Sequence, residues 1–261
     1  VATVPLPGEE EGVFVARIQD FLQKALGEAK IHSNWTTPNS DYEESVKAFA
    51  KALLDKKGAF WKSFIAFQEQ VVDHGIINSL SQVVLKATCP GVPDVYQGCE
   101  FWDFSFVDRD NPRPVAYEKR LQALEAFEGK SEEELFADLW EQRYNAHVKL
   151  WLTQQLFQLR KSNPDLFAEG EYIPLQVEGT YKNHVLAFAR RHKTAVQVVA
   201  VPLHTAILCK EQGKPFFEID WKDTRVTLPK EIESSLETYF TQTQVEKGKG
   251  LLAGALFSRF P

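Results

Sequence analysis

The 261-residue sequence contains no methionine and only three cysteines. Cys89, Cys99 and Cys209 form no CxxC pair and stand at no metal-ligand spacing from histidine. A disulfide-stapled secreted scaffold is denser in cysteine, so these are expected to be free thiols in a reducing compartment, which places the protein in the cytoplasm. No apolar run approaches the roughly 20 residues of a membrane span. Acidic Glu9-Glu10-Glu11 follows Val1-Ala2-Thr3-Val4-Pro5, a start unlike a charged-then-apolar leader. With no initiator methionine either, the chain is expected to begin inside a longer polypeptide, whose upstream part it would need as a partner. The net charge of −6 comes without a basic stripe, which argues against a nucleic-acid surface. GxSxG, P-loop and GxGxxG motifs are absent.

What is present is an ordinary globular composition, 44% hydrophobic and 25% charged, enough for a sizeable core in one or two domains. The first part is helical in period. Phe14, Ile18, Phe21, Leu22, Ala25 and Leu26 line one helix face. Pro38 breaks the chain, and Ser40 with Glu43 has the spacing of a capping box ahead of Val46, Phe49, Ala50, Leu53 and Leu54. A third helix is predicted around Phe60–Val71, with Gly75 separating it from a fourth around Ile76–Val84. Cys89-Pro90-Gly91-Val92-Pro93 then stops the helix, and Val92–Gln97 is predicted as a short strand ended by Gly98. A helix over about Ala116–Phe127 follows. Ser131 with Glu134 caps a long helical stretch through Leu159.

Beyond Asn163-Pro164 the period changes from 3.6 to 2. Strands are predicted at Tyr172–Val177, Val185–Arg190, Val196–Val201, Phe216–Asp220, Arg225–Leu228 and Leu251–Phe257. The boundary near residue 165 divides the chain into a mainly helical part, 1–165, and an antiparallel sheet or sandwich, 166–261.

Two segments carry side chains suited to sugars. Pro90–Pro114 holds Asp94, Glu100, Asp103, Asp108 and Asp110 with Tyr96, Trp102, Asn111 and Arg113. Carboxylates, amides and guanidinium groups bond hydroxyls, and aromatic faces stack on pyranose rings. A strand followed by such a loop also suits the C-terminal face of a β/α barrel. The plainer reading is an exposed acidic loop tied by an Asp110–Arg113 pair. Lys30-Ile31-His32-Ser33-Asn34-Trp35 is the second segment. It is either a sugar subsite or a helix C-terminus where Lys30 complements the dipole and Trp35 packs. Retaining glycoside chemistry needs two carboxylates about 5 Å apart. Asp94 and Glu100 are conceivable, although Asp94 sits where structural hydrogen bonding is equally expected. The remaining histidines are scattered.

In order along the chain, these segments resemble one family. Glu28-Ala29-Lys30-Ile31-His32-Ser33-Asn34-Trp35 is similar to the "REAKxHTSW" stretch of maltooligosyl trehalose synthases, members of the α-amylase superfamily. Pro90–Glu100 resembles their "PGVPDxYQGxE", and Asp108–Val115 their "DPDNRRPV". The similarity continues through Leu159-Arg160 and Ala187-Phe188-Ala189-Arg190 to Leu251–Pro261. Departures are small: Asn34 for serine, Cys99 for threonine, and Arg109 and Pro112 for proline and arginine.

The resemblance implies an α+β fragment. Its helical part would carry the last strand and loop of a (β/α)8 barrel with inserted helices, followed by a C-terminal antiparallel β-sandwich. It implies a (1→4)-α-D-glucan 1-α-D-glucosylmutase. This intramolecular isomerase converts the reducing-end α-1,4 bond of a maltooligosaccharide to an α,α-1,1 trehalose bond, without metal or organic cofactor. A partner trehalohydrolase would release trehalose. The family's aspartate nucleophile, glutamate acid and stabilising aspartate lie on earlier barrel strands. No segment here matches their motifs, so no catalytic residue is assigned and the chain alone is expected to be inactive. Lys30, Trp35, Tyr96, Glu100, Asp110, Asn111 and Arg113 are the implied substrate-binding residues. The competing readings are another α-amylase-type hydrolase or transglucosidase, a maltooligosaccharide-binding module without turnover, and a structural domain that self-associates through exposed apolar surface.

Overall fold

A computed structural model of the chain describes Val4 and residues 11–106, 114–230 and 250–260. It is helical, with two small antiparallel sheets. The chain forms two compact units, one of residues 1–72 and 97–119, the other of residues 73–96 and 120–261.

The first unit contains α1 (Glu11–Ala29), α2 (Ser40–Leu53), the first half of α3 (Ala59–Thr88) and the start of α4 (Tyr117–Glu125). Phe14 of the apolar stripe of α1 is buried, and Ile18, Phe21, Leu22, Ala25 and Leu26 are half-buried. Helix α2 begins as Pro38 predicts, but the cap is Asn39, whose side chain accepts from the Tyr42 N–H at 3.2 Å. Glu43 is therefore released from capping Ser40 and is drawn elsewhere, as described below.

Helix α3 is one helix of 30 residues, not two. Gly75 lies within it. A mid-helix glycine costs only about 1 kcal/mol, and helical residues on its C-terminal side, Ile76, Ile77, Leu80 and Val83, are buried. The helix ends as predicted. The Thr88 hydroxyl donates to the Val84 carbonyl at 2.7 Å, the Cys89 N–H donates to Leu85 at 2.8 Å, and Pro90 has no donor to continue the ladder.

The second unit holds the rest of α3 and α4, α5 (Glu132–Glu141), a 3₁₀ turn (Arg143–Asn145), α6 (His147–Ser162) and α7 (Pro164–Ala168). The Ser131–Glu134 capping box forms as predicted. The stretch to Leu159 is nevertheless interrupted, because Ala146 takes a left-handed conformation (φ 68°) between the 3₁₀ turn and α6. Strands β1 (Glu171–Pro174), β3 (Val185–His192) and β4 (Ala195–Pro202) form one antiparallel sheet with β3 central. Strands β2 (Val177–Glu178), β5 (Arg225–Val226) and β6 (Leu251–Leu252) form the other. Helix α8 (Thr205–Gln212) follows β4, and α9 (Ala253–Leu256) follows β6.

One core cluster unites both sheets. Val185, Ala187 and Ala189 of β3 share it with Val226, Leu251, Leu208, Phe216, Trp221 and Ile77 of α3. Burial along β3 does not alternate: Phe188, Ala189 and Arg190 are all at most 1% exposed, because the strand is covered on both faces.

Tyr172–Val177 is not one strand but is divided between β1 and β2 in different sheets, and three further predicted strands differ. Phe216–Asp220 is a 3₁₀ turn over Phe216–Glu218, where Phe217 meets Trp140 edge-on at 4.9 Å and Phe216 packs on Trp221. Leu251–Phe257 pairs only at its first two residues. The Ala253 N–H then turns to the Thr224 carbonyl and α9 begins. Val92–Gln97 pairs with no strand among the described residues, since Pro93 has no N–H to donate and no strand lies beside it.

Candidate functional site

In the first unit, α1 leads into Lys30–Trp35 and also supports Phe104 and Phe106 of the second sugar-suited segment. Lys30, the residue after α1, turns left-handed with φ 55°, and its exposed side chain has no ion-pair or hydrogen-bond partner among the described residues. The chain then folds back over the helix end. A β-carbon on Gly27 would lie 2.8 Å from Cε2 of Trp35, so the indole rests where α1 lacks a side chain. Trp35 keeps 47% of its surface open.

Asn34 holds this corner. Its Oδ1 accepts from the N–H and hydroxyl of Thr36 (3.0 and 2.7 Å) and from those of Thr37 (2.8 and 3.0 Å). This shows what asparagine does at a position where serine is usual in the resembled family: one amide oxygen gathers four donors. The His32 ring lies 5.1 Å from that of Tyr42.

Beneath the corner, Glu43 is 6% exposed. Its carboxylate accepts from the Ser33 hydroxyl and, at 2.5 Å, from the Gln23 amide, while Ser33 Oγ accepts from the Asn39 N–H at 3.0 Å. These bonds, the Ser33 hydroxyl foremost, hold the Glu43 carboxyl below the usual carboxylate range. Helices α1 and α2 and the Lys30–Trp35 corner are thus tied by one carboxylate.

The second segment of this unit also rests on α1. Arg17 donates to the Phe104 carbonyl at 2.6 Å and stands 5.4 Å over the Phe106 ring, and Phe21 stacks on Phe106 at 4.9 Å. Glu100 is half-buried in the turn that starts this segment, while Asp103 is exposed and accepts from the Ser105 N–H. Asp108, Asp110, Asn111 and Arg113 lie outside the described residues.

In the second unit, the segment leaving α3 carries Asp94, exposed, and Tyr96, 50% exposed. Its root is held by two arginines. Arg160 donates to the carbonyls of Ala87 (2.8 Å) and Gly91 (3.2 Å), and Arg190 to that of Thr88 (3.0 Å). The same unit has an open depression of about 310 Å³ lined by Phe136, Trp140, Phe217, Glu133 and Arg259, the last two ion-paired at 3.1 Å.

Among the described residues no group of three or more His, Cys, Asp or Glu side chains could hold a metal ion, and no helix is long and apolar enough to cross a membrane. Cys89, Cys99 and Cys209 are unbridged, and burial pushes the Cys209 thiol up. Sequence reasoning took Glu43 for a capping residue and Arg160 and Arg190 only as part of the family resemblance, and it overlooked Gln23, Gly27 and Arg17. Only Gly27, an isolated glycine inside a strong helical stripe, carried a readable signal.

No family model matches the chain. It is 32% identical over 194 residues to a maltooligosyl trehalose synthase homologue of Mycobacterium tuberculosis, a match covering 74% of this chain and 23% of that protein. A crystal structure of a maltooligosyl trehalose synthase aligns with TM-score 0.62 at 32% identity, over 72% of this chain and 24% of that one. A mutant of the Arthrobacter ramosus maltooligosyltrehalose synthase aligns over 95% of this chain and 29% of its own, with TM-score 0.71 at 23% identity, a likeness of fold. The chain spans about a quarter of the length of the relatives it matches.

Proposed function

We propose, from the premise that this chain belongs to the maltooligosyl trehalose synthase family, that it supplies substrate-holding surface to an intramolecular glucosyl transfer. The reaction would turn the reducing-end α-1,4 bond of a maltooligosaccharide into an α,α-1,1 bond. In this reading the acids that break and remake the bond belong to the part of the family's longer chain that has no counterpart here. In this reading residues 1–165 supply helices and the closing strand and loop of a (β/α)8 barrel, and Val92–Gln97, unpaired among the described residues, takes the place of that strand only beside the other barrel strands of the family's longer chain. Residues 166–261 form the β-sandwich. The activity serves trehalose synthesis in the cytoplasm, in sequence with a trehalohydrolase.

The observation that carries the proposal is the Lys30–Trp35 corner. It lies in one of the stretches that carry the family resemblance, and it presents an indole seated on Gly27 and, five residues earlier in the chain, an exposed lysine. A fixed aromatic face can stack on a pyranose ring at little entropic cost. An ammonium on a flexible stem can follow the hydroxyls of a glucose that must turn before it re-attacks. Glu100 in the same unit, and Tyr96 in the other, are further candidates for sugar contact.

Calorimetric titration of the chain with maltopentaose, paired with product analysis, tests this. The expected result is weak binding, abolished in Trp35→Ala, with no α,α-1,1-linked product. Absence of any binding would overturn the substrate-holding role. Product formation would overturn the placement of the acids outside this chain.

A further inference from the structure

Arg190 is 1% exposed, yet no carboxylate is among its partners. Its Nη1 donates to Thr88, at the end of α3. Its Nη2 donates to Leu166 (3.3 Å), Phe167 (3.2 Å) and Gly170 (2.8 Å), at and just beyond the end of α7. Its Nε, also buried, has no partner. Arg160 repeats the pattern on the neighbouring carbonyls, those of Ala87 and Gly91. Both guanidinium groups approach the ring of Phe167, itself 2% exposed, at 4.9 Å (Arg160) and 6.0 Å (Arg190). Two like charges so close repel, and burial disfavours each: both guanidinium groups are held below their usual range, Arg160 further by the charge of Arg190.

Such an arrangement is costly as a source of stability, since buried charges are repaid only by good geometry. What it does achieve is local. The last carbonyls of a helix have no intrahelical donor, and they carry the negative end of its dipole. At the end of α3 the next residue but one is Pro90, which has no N–H. The two arginines supply the missing donors and take hold of Ala87, Thr88 and Gly91 in turn. Beyond Gly91 the chain is open: Val92 is 94% exposed and Tyr96 50%.

We propose that Arg160 and Arg190 are positioning residues, a two-pronged clamp that fixes the root and direction of Val92–Tyr96 and so aims Tyr96 for substrate. Neither arginine touches the sugar. The aim toward substrate rests on the function proposed above; the clamp itself does not.

Hydrogen exchange of the whole chain, resolved by mass spectrometry into peptides, tests it. Arg160→Gln keeps the side chain's bulk and removes the fork. Exchange of the Leu85–Cys89 amides is expected to speed up on the order of tenfold, the loss of one charge-assisted bond. Amides of β3 and β4 should keep their rates, and Arg160→Lys should recover part of the protection. Unchanged exchange at Leu85–Cys89 would overturn the clamp. A uniform rise across β3 and β4 would also overturn it, because the arginine would then serve general stability. Maltopentaose titration of the same variants separates the two ideas. If the unmodified chain binds no sugar, the substrate reading falls while exchange still decides the clamp. If it binds, Arg160→Gln is expected to weaken binding severalfold, and undiminished affinity would overturn the aiming role.

Discussion

The indole of Trp35 occupies the space where Gly27 has no β-carbon: an added one would stand 2.8 Å from Cε2 and 3.0 Å from Cδ2. Two effects oppose each other at Gly27→Ala. Helix propensity favours alanine by about 1 kcal/mol, while overpacking costs about 1–3 kcal/mol. Trp35 is half-exposed and can swing away, but it then loses its seat. A net destabilisation of about 1 kcal/mol is expected, in place of the usual gain, together with a red shift of the Trp35 emission isolated by difference against Trp35→Phe. Urea unfolding and fluorescence check both. A stabilised variant with unchanged emission would contradict the contact.

Glu43 ties α1, α2 and the Lys30–Trp35 corner through hydrogen bonds to its ionised form. Its folded pKa is depressed. It therefore adds stability that is fully present above the ordinary carboxylate value of about 4.3 and is lost as pH falls through that value and the lower folded one. In Glu43→Gln the new amide faces the Gln23 amide donor. The variant is expected to be less stable than the unmodified chain at pH 6, with the gap closing toward pH 3. Urea midpoints measured across that window check this, and a gap independent of pH would contradict it.

Arg143 grips Asp73 with two bonds, Nε to Oδ1 at 2.6 Å and Nη2 to Oδ2 at 2.9 Å, and its guanidinium stands 5.0 Å over Trp140 and 4.7 Å over Tyr144. The Asp73 carboxylate raises the arginine's pKa, and burial raises that of the Tyr144 phenol. Asp73 is 41% exposed, so screening holds the ion pair to about 1 kcal/mol. The ring contacts add about 0.5–1 kcal/mol. Arg143→Ala is thus expected to cost about 2 kcal/mol and Asp73→Asn about half of that, the latter shrinking in high salt. Thermal unfolding at two ionic strengths distinguishes the two contributions.

How far these features were legible depended on where the partner lies. The α1 stripe, the Ser131–Glu134 box and the end of α3 at Pro90 are local, and each formed as the residue spacing predicts. Gly75 was over-read as a break, because burial of the residues after it outweighs one glycine. Glu43 has the spacing of a capping residue, yet Ser33, ten positions earlier, takes its carboxylate. Val92–Gln97 has a strand's composition but no neighbouring strand among the described residues, and pairing cannot be read from one segment. Arg160 and Arg190 bond backbone carbonyls, which have no signature in a sequence. Of the candidate sugar contacts, Lys30 and Trp35 stand just beyond the end of α1, both exposed, and Trp35 also packs there on Gly27, a contact that no spacing in the sequence announces.

The central claim is that this chain does for its family's reaction what the matching stretch of its relatives does. A chimaera of the Mycobacterium tuberculosis relative in which this whole chain, Lys30 included, replaces the region it resembles tests it in one measurement, the rate at which maltopentaose yields an α,α-1,1-linked product. The account predicts that the chimaera forms this product, and that Lys30→Ala in it lowers the rate by at least about tenfold, the loss of one charge-assisted contact. A folded chimaera that only shortens maltopentaose by hydrolysis, or whose rate is indifferent to Lys30→Ala, would contradict it.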